Sequence, residues 1–321
     1  MATLSKSESG GLRFTIPTVD LTAYLDDSES HEADKIVAKI RDACKASGFL
    51  QIVGHGVPSS LQHQVFNAAK KVFDLPDAEK MQLRGQNGRG YEIFGAQILQ
   101  VGARPDFREG YSIGPDWSHL CPPYRDFQHP NIWPPAHLIS EADFKHPLLD
   151  YHKRLSALCG TLMTILGRGL LNVDTSVFTK FSEDPLATSK LIHYPPHPVA
   201  GDSLQFGAGA HSDFGAITLL LQDQSAGLQV LNRSTGKWIN VPPNKDAYVV
   251  NVGDMLDRWT KGEYKSNLHR VINASGTDRY SIPFFYDGNL DCVIKPLDGS
   301  NGEHYTVEEY MQSRYAATYK N

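Results

Sequence analysis

Within GAHSDFGAITLLLQ, residues 209–222, an imidazole and a carboxylate stand two positions apart at the head of an apolar run. On an extended chain, residues i and i+2 project to one face. His211 and Asp213 then point together, while Ser212 and Phe214 turn away. Such a pair is either a hydrogen-bonded couple or two ligands of one metal ion. The His-x-Asp tripeptide alone says little, because an ordinary surface pair explains it equally well.

A metal site needs a third ligand. His269 in SNLHRVIN, 56 positions after Asp213 (269 − 213), offers one from another predicted strand. Two imidazoles and one carboxylate on one face leave three positions of an octahedral ion open, the pattern of non-haem Fe(II) oxygenases. Neutral imidazole suits Fe(II), and the carboxylate offsets one unit of its charge. Ten positions further on, Arg279 and Ser281 again stand at i and i+2, in the apolar run RYSIPFF. An Arg there is costly to bury without an anion. A guanidinium binds a carboxylate through two parallel hydrogen bonds, and a hydroxyl adds a third. The plainer alternative is an edge strand, consistent with Pro283, from which Arg279 reaches solvent.

These side chains need elements to hold them. RFTIPTVDL (13–21) alternates like a short strand. Residues 29–48 carry Ala33, Ile36, Val37, Ile40, Ala43 and Cys44 at helical spacing, with Gly48 as the stop. FLQIVGHGV (49–57) reads as a strand, and 59–75 as a second amphipathic helix ended at Pro76. Residues 82–135, rich in Gly, Pro, Asn and aromatics, read as loop-dominated and suited to carrying a site. A long helix is expected at 147–171, its stripe made of Leu149, His152, Leu155, Leu158, Leu162, Ile165 and Leu166. His152 in that stripe is read as a packed histidine, and His55 in GHGV as structural. HYPPH (193–197) cannot present a helical ligand pair. Asp254 and Asp257 in GDMLD belong to a turn into the next element rather than to an acid–base pair. From about 188 onward short β-rich runs alternate with turns, as in AITLLLQ, LQVLN, KWINVP, AYVVNVG and RYSIPFFYD, which predicts a sandwich, barrel or jelly roll.

The 321 residues carry a net charge of −5 and are 40% hydrophobic, an ordinary globular composition. Mild acidity gives no reason to expect nucleic acid or an anionic membrane as partner. No apolar run approaches a membrane span, the N-terminal MATLSKSESGGLRF lacks a secretion-signal core, and AATYKN is no prenylation or peroxisomal signal. A cytoplasmic location is expected. Cys44, Cys121, Cys159 and Cys292 form no CxxC pair and read as free thiols, mostly buried. No GxSxG, P-loop or Rossmann fingerprint occurs.

The order HxD, H, RxS resembles the iron- and 2-oxoglutarate-dependent oxygenases of the isopenicillin N synthase type, and the resemblance runs along nearly the whole chain. IPTVDL, ACKASGFLQIVGHGVP and RGYEIFG are similar to that family's N-terminal region. KLIHYPP resembles its Tyr-Pro strand, and residues 238–273 resemble the stretch that delivers the last histidine. The resemblance implies a mainly β core with flanking α-helices, a double-stranded β-helix or jelly roll. It implies one catalytic domain over 1–321, with an N-terminal helical and loop region at about 12–135 and the jelly-roll core at about 188–295. It implies Fe(II) on His211, Asp213 and His269. It also implies 2-oxoglutarate held by Arg279 and Ser281, with Tyr194 assisting, O2 as cosubstrate and ascorbate as a candidate reductant. His193 receives no role.

The activity so implied is oxidation of a C–H bond of a small molecule, by hydroxylation or desaturation, with release of succinate and CO2. Specialised metabolism is the expected setting, and no obligate protein partner is evident. Candidate pocket walls are Phe214, Phe285 and the loop region 82–111, with Arg104 or Arg108 as a group for an acidic substrate. Each of these has a bland reading as core ring or solvated loop charge. The competing readings are a 2-oxoglutarate-independent ring-closing oxidase, a catalytically silent binding relative, and a zinc hydrolase that leaves RxS unexplained.

Overall fold

The computed structural model describes residues 15–85, 88–170, 173–197 and 204–318, together with the backbone of 5–6 and 12–13. Two sheets face each other. The major one runs, in spatial order, Thr18–Asp20, Phe49–Val53, Tyr248–Val252, Ile217–Gln222, Arg279–Gly288, Leu186–Tyr194, Glu109–Ile113 and Gly90–Glu92. The minor one runs Lys237–Asn240, Leu228–Asn232, His269–Val271 and Ala208–His211. From Leu186 onward successive strands cross between the sheets, except at the hairpin of Leu228–Asn232 with Lys237–Asn240, which stays in the minor one. This is the expected jelly roll.

Alternation along the strands sorts side chains into two cores. On Arg279–Gly288, Tyr280, Ile282, Phe284 and Tyr286 face outward into the large core beneath the helices. Between the sheets a smaller cluster forms from Phe49, Ile192, Tyr194, Ala208, Leu228, Val230, Val241, Val249 and Val271. The helix His31–Ala46 buries the six residues its sequence stripe named. Ser30 starts it by accepting the Ala33 N–H at 3.1 Å. Gly48 ends it at φ +72°, where a Cβ would also overlap the Lys265 carbonyl oxygen. The helix Lys145–Gly169 packs on that helix, on Ser59–Phe73 and on the major sheet.

Several expectations need correction. Thr18–Asp20 is shorter than the predicted 13–21, whose first two residues lack described side chains. Leu148, not Leu149, is the fully buried residue in the first turn of the long helix, whose predicted end at 171 lies outside the described residues. The loop-rich stretch 82–135 contributes two strands, Gly90–Glu92 and Glu109–Ile113. Both are short and glycine-containing, so they lack a local strand signal. They exist because the free edge of Leu186–Tyr194 offers unpaired backbone groups to them. The jelly-roll region begins at Leu186, two residues before the expected 188. The strand holding Pro283 is not at an edge: it is flanked by Ile217–Gln222 and Leu186–Tyr194. The route from Arg279 to solvent is therefore closed.

His152 is buried and packed, as read from sequence. Its Nε2 lies 3.2 Å from the Ala187 carbonyl oxygen, its ring meets Phe284 edge-on, and burial pushes its pKa down to about 4. Among the cysteines, which are free, Cys44 and Cys159 are buried and Cys121 is exposed.

His193, left without a role, lies on the outer face of its strand between two carboxylates. Its Nδ1 is 2.8 Å from Glu109 Oε1, its Nε2 is 2.8 Å from Asp278 Oδ1, and its ring stacks on Tyr280. Glu109 also accepts from Lys80 Nζ and the Tyr91 hydroxyl. Burial disfavours the imidazolium, but the two carboxylates outweigh it and raise the pKa. A raised folded-state pKa gives stabilisation that is complete below the ordinary value of about 6.5 and lost as pH rises through the folded value. Urea unfolding of the wild type is thus expected to lose about 1.5–3 kcal/mol across that window, the size of a hydrogen bond to a charged group. His193→Phe should lack the loss, and a variant that shows the same alkaline slope would remove His193 as its source.

Candidate metal centre and pocket

His211 is the last residue of Ala208–His211, and His269 is the first of the neighbouring His269–Val271. The two are directly paired across the minor sheet, so their rings share a face, with centroids 4.3 Å apart. Asp213 lies past the strand end, not on it. The sequence reading placed His211 and Asp213 on one extended strand. Instead the strand ends at His211 and the chain bends at 214–216, and Phe214 and Ser212 also border the cavity rather than turning away. The short helix Asp254–Trp259 fixes this turn: the Asp254 N–H donates to the Asp213 carbonyl and the Met255 N–H to that of Phe214. The Asp254 carboxylate accepts from Ser212, Ser266 and Arg314, a structural role in keeping with the sequence reading.

Ligand atoms of His211, Asp213 and His269 all lie within 4.8 Å of one another. Asp213 Oδ1 is 3.9 Å from His211 Nε2 and 3.8 Å from His269 Nε2. Its other oxygen, Oδ2, accepts from Thr218 Oγ1 at 2.6 Å and Asn251 Nδ2 at 2.8 Å. One oxygen is anchored and the other is left for an ion. His211 Nδ1 lies 2.7 Å from the Gly209 carbonyl oxygen, which fixes the N–H there and leaves Nε2 as the lone-pair donor. Burial, reinforced by His269, pushes the His211 pKa down to about 3. Burial raises that of Asp213, but His269 and His211 together with the two hydrogen bonds pull it below the ordinary value. A neutral imidazole and an ionised carboxylate are the forms a metal needs.

Arg279, the first residue of the strand Arg279–Gly288, is wholly buried. Its Nη2 donates to Gln222 Oε1 at 2.9 Å, while Nε and Nη1 have no partner among the described residues. Arg279 pairs directly with Tyr194 across the sheet and sits 4.8 Å from its ring centroid. Ser281 Oγ is 3.4 Å from the Tyr194 hydroxyl. Burial opposes ionisation of that phenol, but Arg108 and Arg279 outweigh it and lower its pKa. A buried guanidinium with two idle donors beside two hydroxyls is a receptor for a carboxylate.

A cavity of about 970 Å³ opens onto the cluster. Both Phe214 and Phe285 line it, as does Arg108, whereas Arg104 is exposed and outside the lining. The chain enters the strand Glu109–Ile113 directly after Arg108, which points that side chain inward, where Nη2 bonds Gln97 Oε1 at 2.6 Å. The C-terminal helix Val307–Thr318 closes the cavity with Met311, Gln312, Arg314 and Tyr315. It is tied down by Arg125, which bonds both Glu308 and Asp291. Arg314 lies 4.5 Å from the centroid of Phe214. Sequence reasoning missed Thr218, Asn251 and Gln222. Their signal was a polar residue within or at the end of an otherwise apolar buried strand.

The profile of the 2OG-Fe(II) oxygenase superfamily matches residues 185–288, and the N-terminal profile of the non-haem dioxygenase in morphine synthesis matches 16–136. The chain belongs to the 2OG-Fe(II) oxygenase superfamily. It is similar to the 2-oxoglutarate-dependent dioxygenase citB of Monascus ruber, at 45% identity over 95% of this chain and 96% of that one. It is also similar to clavatol oxidase claD of Penicillium crustosum, at 39% identity over 95% and 97%. Among solved structures, a full-length Neurospora crassa protein in complex with alpha-KG and thymine matches with a TM-score of 0.83 at 27% identity, covering 99% of this chain and 100% of that one. This oxygenase is an Fe(II)- and 2-oxoglutarate-dependent dioxygenase. Among its described residues, no helix is long and apolar enough to cross a membrane.

Proposed function

We propose that His211, Asp213 and His269 hold the Fe(II), and that Arg279, Ser281 and Tyr194 hold the 2-oxoglutarate. In this reading the chain is one catalytic unit that oxidises a C–H bond of a substrate bound beside Phe214 and Phe285. Specialised metabolism is the setting we favour, in line with the morphine-synthesis description of the matching N-terminal profile. The observation that carries the assignment is Arg279: a fully buried guanidinium whose Nε and Nη1 have no partner among the described residues. Buried charge without a counterion is costly, so the position makes physical sense as a seat for the distal carboxylate of the cosubstrate.

When bound, Fe(II) and 2-oxoglutarate supply O2 activation coupled to decarboxylation of 2-oxoglutarate to succinate and CO2. The chain's own residues orient and exclude. Arg279 donates two N–H groups and Ser281 one O–H to the carboxylate. Thr218 and Asn251 hold Asp213 so that only Oδ1 faces the ion. Gly209 fixes the tautomer of His211. The C-terminal helix limits water while the substrate C–H bond is held in place.

Anaerobic titration of the apoprotein with Fe(II) and 2-oxoglutarate tests this. A weak visible charge-transfer band is expected in the wild type and not in Arg279→Ala at the same concentrations. Bound iron without a band in the wild type would mean that Arg279 serves some other anion.

A further inference from the structure

The inward face of Arg279–Gly288 carries Arg279, Ser281, Pro283 and Phe285 in alternation, and the bulge between Tyr286 and Gly288 carries Asp287. The first two are accounted for by the cosubstrate reading, and Phe285 is a pocket wall. Asp287 is not explained by any of this. It is 5% exposed, it lines the cavity, and no hydrogen bond to it is formed among the described residues. Buried carboxylates are ordinarily hydrogen-bonded or paired. Arg89 stands near enough to act on its charge, yet the two form no ion pair among the described residues; the Arg89 Nη atoms donate to the carbonyls of Gly88 and Phe127. The backbone is shaped around this carboxylate: at Gly215, beside the metal turn, a Cβ would overlap Asp287 Oδ1.

Register places the group relative to the iron. Phe285 pairs with Thr218, whose hydroxyl holds Asp213. Asp287 is two residues further along, on the bulge that follows Tyr286, and close enough to Asp213 to feel its charge. The walls between are Phe285, Phe214 and Leu186, which suit an apolar ring. Burial and the nearby Asp213 raise the Asp287 pKa to about 7; in either protonation state an oxygen of the group accepts a hydrogen bond, so a donor on the substrate satisfies it. A cationic amine is disfavoured because Arg89 and Arg314 also line the cavity.

We infer that Asp287 is the substrate-recognition group of this cavity, accepting a hydrogen bond from a neutral hydroxyl or ring N–H on a flat substrate whose opposite side meets the iron. This rests on the metal-site assignment above and adds the substrate class to it.

The test uses the enzyme loaded with Fe(II) and 2-oxoglutarate under argon, titrated calorimetrically with three probes: 4-methylphenol, its methyl ether 4-methylanisole, and 4-methylbenzylamine. The wild type is expected to bind the phenol at least about 10-fold more tightly than the ether or the amine, since a site built to pair a donor discriminates against its absence. In Asp287→Leu the phenol-to-ether ratio should fall to about 1 with ether binding retained, which also reports an intact pocket. The isosteric Asp287→Asn should show an intermediate ratio. A loaded wild type that does not favour the phenol, or an Asp287→Leu that keeps the preference, overturns the inference alone. Failure of the wild type to bind Fe(II) overturns the metal-site assignment and this inference with it.

Discussion

His269→Ala is expected to lose stoichiometric Fe(II) binding and to lower turnover by about 10³-fold or more. Loss of a group that merely orients a ligand already costs about 10–100-fold, and His269 would supply a ligand atom itself. Among the three candidate ligands, His269 gives the cleanest measurement. Its Nδ1 makes only a 3.4 Å contact with the Asn267 carbonyl, so its removal strands no strong partner. Asp213→Ala would leave Thr218 Oγ1 and Asn251 Nδ2 as buried donors without an acceptor, each costing about 1–3 kcal/mol of stability. Metal affinity and folding would then fall together. Thr218→Val and Asn251→Ala should each weaken iron binding by about 10–100-fold without abolishing it. Equilibrium dialysis of Fe(II) under argon, beside thermal unfolding of each variant, separates the two effects. Tight iron binding retained in His269→Ala would remove it from the ligand set.

Arg279→Met should raise the 2-oxoglutarate dissociation constant by about 30- to 4,000-fold, because truncating one partner of a buried, hydrogen-bonded charge pair costs about 2–5 kcal/mol. The structure adds a less obvious expectation about stability. Without an anion, the Arg279 guanidinium is wholly buried with Gln222 as its hydrogen-bond acceptor. A methionine of similar length removes that desolvated charge, so the ligand-free variant should unfold at a temperature equal to or above that of the ligand-free wild type. Saturating 2-oxoglutarate should reverse the order. At 100 times its dissociation constant a ligand contributes about 2.7 kcal/mol, which the wild type gains and the variant does not. Arg279→Lys should restore little, since an ammonium cannot make two parallel N–H bonds to one carboxylate. Unchanged 2-oxoglutarate affinity in Arg279→Met would exclude this side chain as the carboxylate seat.

The chemistry on offer and much of the local structure were legible in the chain alone. Residue type decides what a side chain can ligate, so His211, Asp213, His269, Arg279 and Ser281 could be singled out from their kinds and spacings. Helices with a sustained apolar stripe, such as His31–Ala46, and strands with an alternating apolar face, such as Leu228–Asn232, could be read because burial of one face is a local pattern. What meets across strands was settled in three dimensions. Register set His211 opposite His269 and Arg279 opposite Tyr194. Folding put Thr218 and Asn251 on Asp213, turned Arg108 rather than Arg104 toward the cavity, and recruited Gly90–Glu92 and Glu109–Ile113 to a sheet edge that their own residues do not announce. It also brought the C-terminal helix over a site built from earlier strands, and left Asp287 in the cavity without a donor among the described residues. The physical reason is the same in each case. Propensity and periodicity act between neighbours in the chain, whereas hydrogen-bond satisfaction and charge burial act between neighbours in space.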